Sequence, residues 1–294
     1  MRINSRTQFI KKKEVKINQS WKLYFVRNLA KKNNINKSYL CEVFKIARSS
    51  LYYKKKKIIS DTIFSTRVKI ENIINPYYWQ RRMAYHFQVS VNKTSRIMQK
   101  YNIYAKTRKR SRFTKPWDKN LPNMWVDNMK KDLEIVTVNQ VWSGDFTHLF
   151  FKHIEFYLAT VIDDYSKEVV WYRIWMHHEK ELVIWALNDG ITNKWLSPEI
   201  SHTDQGSEYR SYKYFDALKK YNISASMSRK ASPWENGGQE SFYGKFKFEL
   251  WNLNRFKTIE EAIEAVHLQI YYYNNHRIHT ALKMSPIEFI KTNK

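Results

Sequence analysis

Apolar residues recur at helical spacing through the first third of the chain. Leu23 and Val26 fall on one side of a predicted helix. Farther on, residues 40–53 contain two short apolar segments, and Ser49 is a typical residue to begin the second of two helices. We therefore predict a small helix-turn-helix there, whose second helix presents Arg48 to a partner.

A second helical region is predicted over residues 61–104. Its apolar pattern depends on three isoleucines at helical spacing, which are Ile70, Ile73 and Ile74. A further helix is expected over 91–101, with Thr94 and Arg96 on its exposed side. Periodicity then fades and two prolines follow, so residues 113–138 are predicted to be a linker.

From about residue 140 the pattern changes to strands. Three closely spaced strands are predicted over 141–151, 157–162 and 169–175, as in an antiparallel meander. A helix over 179–195, a strand over 199–203, a helix over 212–221 and a strand over 223–227 complete the list. Three strands followed by alternating helices and strands predict an α/β layer fold with a mixed sheet.

Positive charge is concentrated in the first part of the 294-residue chain. Residues 1–120 contain 31 Lys and Arg against 5 Asp and Glu, whereas residues 121–294 contain 21 against 22. A basic region joined to a neutral one indicates that one part of the chain binds a polyanion and that a separate part has another function. Nucleic acid is the expected polyanion. An anionic membrane would favour a basic amphipathic helix with one clean apolar face. A lysine-rich composition bias would not explain the neutral second part.

The remaining composition bounds the cellular setting. Cys41 is the single cysteine, which excludes a disulfide framework and a thiolate metal cluster and favours a reducing compartment. Apolar runs never approach the roughly 18 residues that span a membrane. We therefore expect a cytoplasmic protein with no membrane partner.

Three carboxylates stand where the predicted fold could gather them. Asp145 interrupts an apolar strand, Asp204 follows another strand, and Glu240 lies on a predicted helix. Buried carboxylates are costly unless paired or bound to metal, and oxygen ligands suit Mg²⁺ or Mn²⁺. From the residues alone, Asp145 could instead be a strand-edge or turn residue, Asp204 a turn residue, and Glu240 a solvated helix residue.

The same carboxylates stand in motifs that occur together. Trp142 shortly precedes Asp145, Asp204 lies in the run His-Thr-Asp-Gln-Gly-Ser-Glu-Tyr, and 35 residues separate Asp204 from Glu240. Other matching segments are 157–167, 228–242, Tyr273-Asn274, Arg277, His279 and Ser285-Pro286, with 49–53 and 91–98 in the basic part. Jointly they resemble the integrase-like core of bacterial insertion-sequence transposases of the second-reading-frame (OrfB) type, over about residues 40–290.

The resemblance implies a ribonuclease H-like mixed sheet with flanking helices, preceded by an all-α helix-turn-helix region. It implies two Mg²⁺ ions, replaceable by Mn²⁺, with Asp145, Asp204 and Glu240 as ligands, and metal-dependent cleavage and transfer of DNA strands. Lys247, two helical turns after Glu240, resembles the family's lysine that contacts DNA near the cleavage point; its alternative is a solvated helix residue. Gly244 within that helix is expected to cost about 1 kcal/mol relative to alanine unless it permits close approach of DNA.

The domain organisation follows from both lines of reasoning. Residues 1–60 are expected to form a basic arm and a helix-turn-helix-like segment, 61–112 a second DNA-binding segment, 113–138 a linker, and 139–294 the catalytic core with a helical tail. The basic residues predicted to contact DNA are Arg48, Arg96, Lys109 and Arg110. Expected partners are DNA, as element ends and target, the upstream-frame product, and other copies of the chain assembled on DNA at the bacterial nucleoid.

Two other functions stay open. Family members usually receive an upstream helix-turn-helix and leucine zipper, and no sustained heptad precedes residue 60, so this chain is expected to lack that module. A DNA-binding regulator or an inactive remnant without turnover would fit that lack. A ribonuclease H-type hydrolase would share the core but not the tail motifs.

Overall fold

The computed structural model describes residues 19–32, 36–52, 56–108, 126–177, 181–229 and 233–293. The chain divides into two compact units between Thr66 and Arg67. The first unit contains α1 (Gln19–Lys32), α2 (Lys37–Val43) and α3 (Arg48–Tyr52). Val26, Leu40 and Leu51 belong to its buried core. The helix-turn-helix predicted over 40–53 therefore corresponds to α2 and α3.

Three helices follow, namely α4 (Lys56–Ile74), α5 (Gln80–His86) and α6 (Val91–Lys100). The isoleucine spacing correctly predicted α4, but all three isoleucines are exposed. The buried residues of this stretch include Val68 and Glu71 instead. On α6, Thr94 is buried rather than exposed, because its hydroxyl donates to the Ser90 carbonyl (3.3 Å) and needs no water.

A five-stranded mixed sheet forms the centre of the second unit. Its strands are β1 (Val141–Phe151), β2 (Ile154–Asp163), β3 (Val169–Trp175), β4 (Ile200–Thr203) and β5 (Ser224–Met227). The spatial order is β3-β2-β1-β4-β5; β1, β2 and β3 pair antiparallel, and β4 pairs parallel with both β1 and β5. This order and these directions are the expected ribonuclease H-like arrangement, so the predicted fold class is confirmed.

Helices cover both faces of this sheet. One face packs its apolar core against α7 (Glu181–Lys194) and α8 (Tyr212–Lys220), and the other against α9 (Gly237–Leu250) and α10 (Ile259–Asn275). Trp142 lies in the first core and Phe242 in the second. The α9 helix is thereby fixed against the same sheet face as the odd-numbered residues of β1.

The C-terminal motif residues have structural roles. The Asn274 side-chain amide bonds both backbone groups of Val169 on the edge strand β3, each at 2.9 Å. Arg277 is 2% exposed and makes a bidentate pair with Glu249 of α9, both distances being 2.6 Å. Ser285 and Pro286 begin the last helix, α11 (Pro286–Thr292). Within the described residues, no helix combines the length and apolar character needed to cross a membrane.

Candidate active site

Asp145 lies on β1, on the sheet face that α9 covers. Strand alternation places Ser143 on the same face and Trp142 in the opposite core. The Phe146 backbone N–H donates to Asp145 Oδ1 (2.8 Å). Loss of solvent, and then the charge of Asp204, raises the pKa of Asp145 well above its usual range. The strand thus holds a carboxylate whose ionised form is poorly solvated.

Asp204 comes directly after β4, which pairs parallel with β1. Ser143 is paired with His202, so two residues farther on Asp204 stands level with Asp145. The Gly206 N–H donates to Asp204 Oδ1 (2.9 Å), and a Cβ at Gly206 would stand only 2.9 Å from that oxygen. Desolvation raises the pKa of Asp204, the Gly206 N–H opposes this, and nearby carboxylates, including Glu240, raise it further. Adjacent parallel strands therefore bring the two aspartates together.

Two buried side chains of α9 fix this helix to β1. The Gln239 amide donates to the Ser143 carbonyl (2.5 Å), and the Tyr243 hydroxyl donates to the Asp145 carbonyl (2.7 Å). Tyr243 also lies 2.8 Å from the Thr160 hydroxyl on β2. Glu240 lies between these contacts in the first turn of α9, where the helix dipole favours a negative charge. Its side chain is exposed, and its charge raises the pKa of both aspartates.

The donor set suits a hard divalent cation. Asp145 and Asp204 are carboxylates whose raised pKa values mark negative charge that the protein does not offset, and a cation would offset it. Among the described residues, no three His, Cys, Asp or Glu side chains are close enough together to bind one metal ion. The fold therefore brings the three predicted carboxylates within electrostatic reach, with the aspartates adjacent, and does not gather all three into a ligand cluster.

A buried polar layer lies next to the aspartates. Lys130 Nζ lies 2.6 Å from Asp164 Oδ2 and 3.2 Å from Ser143 Oγ, and the Ser143 hydroxyl donates to the same Asp164 oxygen (2.6 Å). His202 is fully buried, its Nδ1 lies 2.9 Å from Ser226 Oγ, and burial lowers its pKa to about 4. The histidine is thus neutral at physiological pH and belongs to this layer.

Sequence reasoning missed the residues that support the carboxylates. Lys130 falls in the predicted linker, and Gln239 and Tyr243 were not singled out. Their partners are 13 residues away in sequence for Lys130 with Ser143 and 96 to 98 residues away for the two α9 side chains. A local pattern gives no signal for such pairings.

The predicted DNA contacts lie in different places. Lys247 is exposed on α9, and its charge lowers the pKa of Asp145 against the stronger effect of desolvation. Arg48 is exposed at the start of α3 in the first unit. Arg96 is half-buried on α6 in the second unit. Lys109 and Arg110 lie outside the described residues. All five stay predictions as DNA contacts.

Two family models described as integrase core domain match residues 136–233 and 221–286. Together these matches run from residue 136 to the start of the last helix and cover just over half of the chain. The catalytic core of HTLV-2 integrase, solved in complex with magnesium, aligns over 51% of this chain and 95% of its own length, at 19% identity and a TM-score of 0.42. A simian T-cell lymphotropic virus intasome aligns over 75% of this chain and 73% of that chain, at 17% identity and a TM-score of 0.48.

Curated relatives are insertion-sequence proteins of bacteria. The transposase of IS904 from Lactococcus lactis is 37% identical over 158 residues, which are 53% of this chain and 62% of that protein. The putative transposase InsK of IS150 from Escherichia coli is 28% identical over 85% of this chain and 92% of its own length. The 31 kDa protein of IS600 from Shigella sonnei is 28% identical over 85% and 97%. The chain belongs to the family of bacterial insertion-sequence transposases that carry an integrase core domain.

Proposed function

We propose that this protein is a DNA transposase that cleaves the ends of an insertion sequence and transfers the freed strand to a target, in the bacterial cytoplasm. The adjacent aspartates on parallel strands, with Glu240 held nearby by α9, carry the proposal. The family supports a polynucleotidyl transferase of integrase type. The basic first part supplies the charge that DNA binding requires.

Each residue of the site has a role in this proposal. Asp145 and Asp204 hold one side of the metal site, and Glu240 completes it from α9. The chemistry that two bound Mg²⁺ ions, replaceable by Mn²⁺, would supply here is activation of an oxygen nucleophile and stabilisation of the leaving oxygen of a phosphodiester. Lys247 binds a DNA phosphate beside the scissile one. Gln239 and Tyr243 hold α9 in register with β1 and so set the position of Glu240.

The test is strand cleavage and strand transfer on DNA carrying the ends of the encoding element, with Mg²⁺. Glu240→Gln keeps the shape of the side chain and removes its charge, so we expect at least about a 100-fold loss of both activities. Folding is checked by thermal unfolding and DNA binding by a gel shift, because both should match the wild type. Undiminished cleavage at equal folding and binding would refute the mechanism.

A DNA-binding regulator without turnover is the second candidate. It is favoured by the absence of a ready three-ligand metal group among the described residues. A wild-type chain that binds element ends but never cleaves them with Mg²⁺ or Mn²⁺ would favour this candidate. Repeating that assay with the upstream-frame product added tests whether the chain requires this partner, and light scattering on DNA tests self-association.

A further inference from the structure

Trp251 adopts a strained backbone conformation at the end of α9. Its φ is 62° and its ψ is −153°, a region that is essentially restricted to glycine. The residue closes the helix, since its N–H donates to the Lys247 carbonyl (3.1 Å). Trp251 is nevertheless 63% exposed, so packing in the core does not account for a bulky residue here. Strained residues of this kind concentrate where proteins hold a ligand.

Two cations from separate segments lie against this ring. Lys106 Nζ is 4.8 Å from the ring centroid, and the Arg255 guanidinium is 5.9 Å from it. The Lys106 backbone is fixed, because its N–H donates to the Pro76 carbonyl (2.8 Å) and Ala105 beside it is buried. The cations over the ring therefore hold it in place and add positive charge beside the part of Trp251 that stays exposed.

Positive charge continues along α9 toward the carboxylates. The Arg108 guanidinium lies directly over Gly244, where any Cβ would overlap it, so this glycine makes room for the arginine. Lys247 is exposed on the same side of α9, three residues after Gly244 and four before Trp251. The acidic residue of this stretch, Glu249, is buried in its pair with Arg277. The surface from Lys247 to the ring thus attracts anions.

We propose that Trp251, with Lys106 and Arg255, is a DNA-contact site in which the ring stacks on a base and the cations bind the flanking phosphates. Aromatic faces with adjacent Lys and Arg are how proteins bind single-stranded nucleic acid without sequence preference. The inference takes DNA as the substrate from the proposed function and adds where the strand runs. Glu240 and Trp251 are separated by about 16 Å along α9, so the proposed stacking site lies on the same helix as the carboxylate but away from it.

The test uses the full chain without divalent metal and a fluorescein-labelled random-sequence strand, single and as a duplex, read by anisotropy. We expect Trp251→Ala to weaken single-strand binding about tenfold, and Trp251→Phe to retain most of it. Lys106→Ala should reduce the salt dependence by about one phosphate contact, whereas Trp251→Ala should leave the salt slope unchanged. Trp195→Ala, at an indole that is 89% exposed on the end of α7, is the matched control.

Trp251→Gly separates binding from folding. Glycine accepts this backbone conformation without strain, so we expect an equal or higher Tm together with the same loss of DNA binding. Wild-type affinity in both the Ala and Gly variants would overturn the proposal. So would unchanged DNA affinity with an altered molar mass in light scattering, because the ring would then serve a protein contact. A chain that loses DNA binding with Trp251 yet never cleaves DNA would keep this site and refute the proposed function.

Discussion

At the scale of single residues, the carboxylate of Asp145 is the costly feature of the molecule. Its pKa is raised by desolvation and by Asp204, and the Phe146 N–H and the charge of Lys247 oppose this only partly. A group whose pKa is higher in the folded state binds protons more tightly there than in the unfolded chain. The free energy of unfolding therefore falls as the pH rises from about 4 through the raised pKa.

Asp145→Asn should consequently stabilise the metal-free protein. At pH 7 in EDTA we expect a Tm higher than that of the wild type by about 2 °C or more, and near pH 4 the difference should shrink, because the wild-type carboxyl is then protonated. Mg²⁺ should raise the Tm of the wild type more than that of the variant. Thermal unfolding checks this, with exposed Asp132→Asn as the control. Equal Tm values for wild type and Asp145→Asn at pH 7 would contradict it.

Among the three carboxylates, the two aspartates carry a local sequence signal, and the role of all three as metal ligands stays a prediction. Asp145 breaks an apolar strand, and Asp204 ends one, so strand pattern and motif pointed to the same positions. The side chains that position them gave no such signal. Tyr243 is one of many aromatic residues in the chain, and only the packing of α9 on β1 places its hydroxyl on the Asp145 carbonyl. Thr94 is a different case. The sequence pattern predicted that it is exposed, but its hydroxyl bonds a backbone carbonyl one helical turn earlier, so the residue can be buried.

At the scale of elements, the position of α9 determines the distance between Glu240 and the two aspartates. Glu240 belongs to this helix, whereas the aspartates belong to the sheet, so their spacing depends on how the helix is seated. Gln239 and Tyr243 bind carbonyls of β1 on either side of Glu240 in sequence. A small slide of the helix would break both bonds. The position of Glu240 relative to the aspartates therefore depends on these two contacts.

Tyr243→Phe should therefore impair cleavage more than it impairs folding. The change removes one hydroxyl and leaves the Asp145 carbonyl without that donor, which costs about 1–3 kcal/mol. We expect a lower Tm and about a tenfold loss of Mg²⁺-dependent cleavage, with DNA binding retained. Tyr271→Phe, at a ring that is 59% exposed on α10, should change neither. Wild-type cleavage by Tyr243→Phe would mean that α9 keeps its position without this bond.

At the scale of the whole molecule, a buried ion network ties the second unit together. Glu249 of α9 pairs with Arg277 beyond α10, and Arg82 of α5 lies 3.6 Å from the same carboxylate. Tyr78 adds bonds to the backbone at Ile278 (2.8 Å) and His276 (3.3 Å). The α5 region and the segment after α10 thus meet at the helix that carries Glu240. Sequence correctly predicted strands, helices and fold class, but it could not show this meeting point, because its members are far apart in the chain.

Glu249→Gln should strongly destabilise the protein, because it removes the carboxylate at the centre of this network. Two arginines would lose the charge that offsets them, and breaking a buried pair from one side costs about 3–5 kcal/mol. We expect a large fall in Tm and loss of cleavage, whereas Glu264→Gln on the exposed side of α10 should have little effect. Denaturant unfolding measures the difference. A variant as stable as the wild type would show that solvent or other groups satisfy both arginines.

The order of the elements along the chain also governs when the protein can act. The strand β1 with Asp145, and Asp204 directly after β4, leave the ribosome well before α9, which carries Glu240. Arg277 and Asn274, which secure α9 and the sheet edge, are translated later still. A nascent chain therefore has both aspartates before it has Glu240 and the contacts that secure α9, so the three proposed metal ligands come together only after α9 has been made.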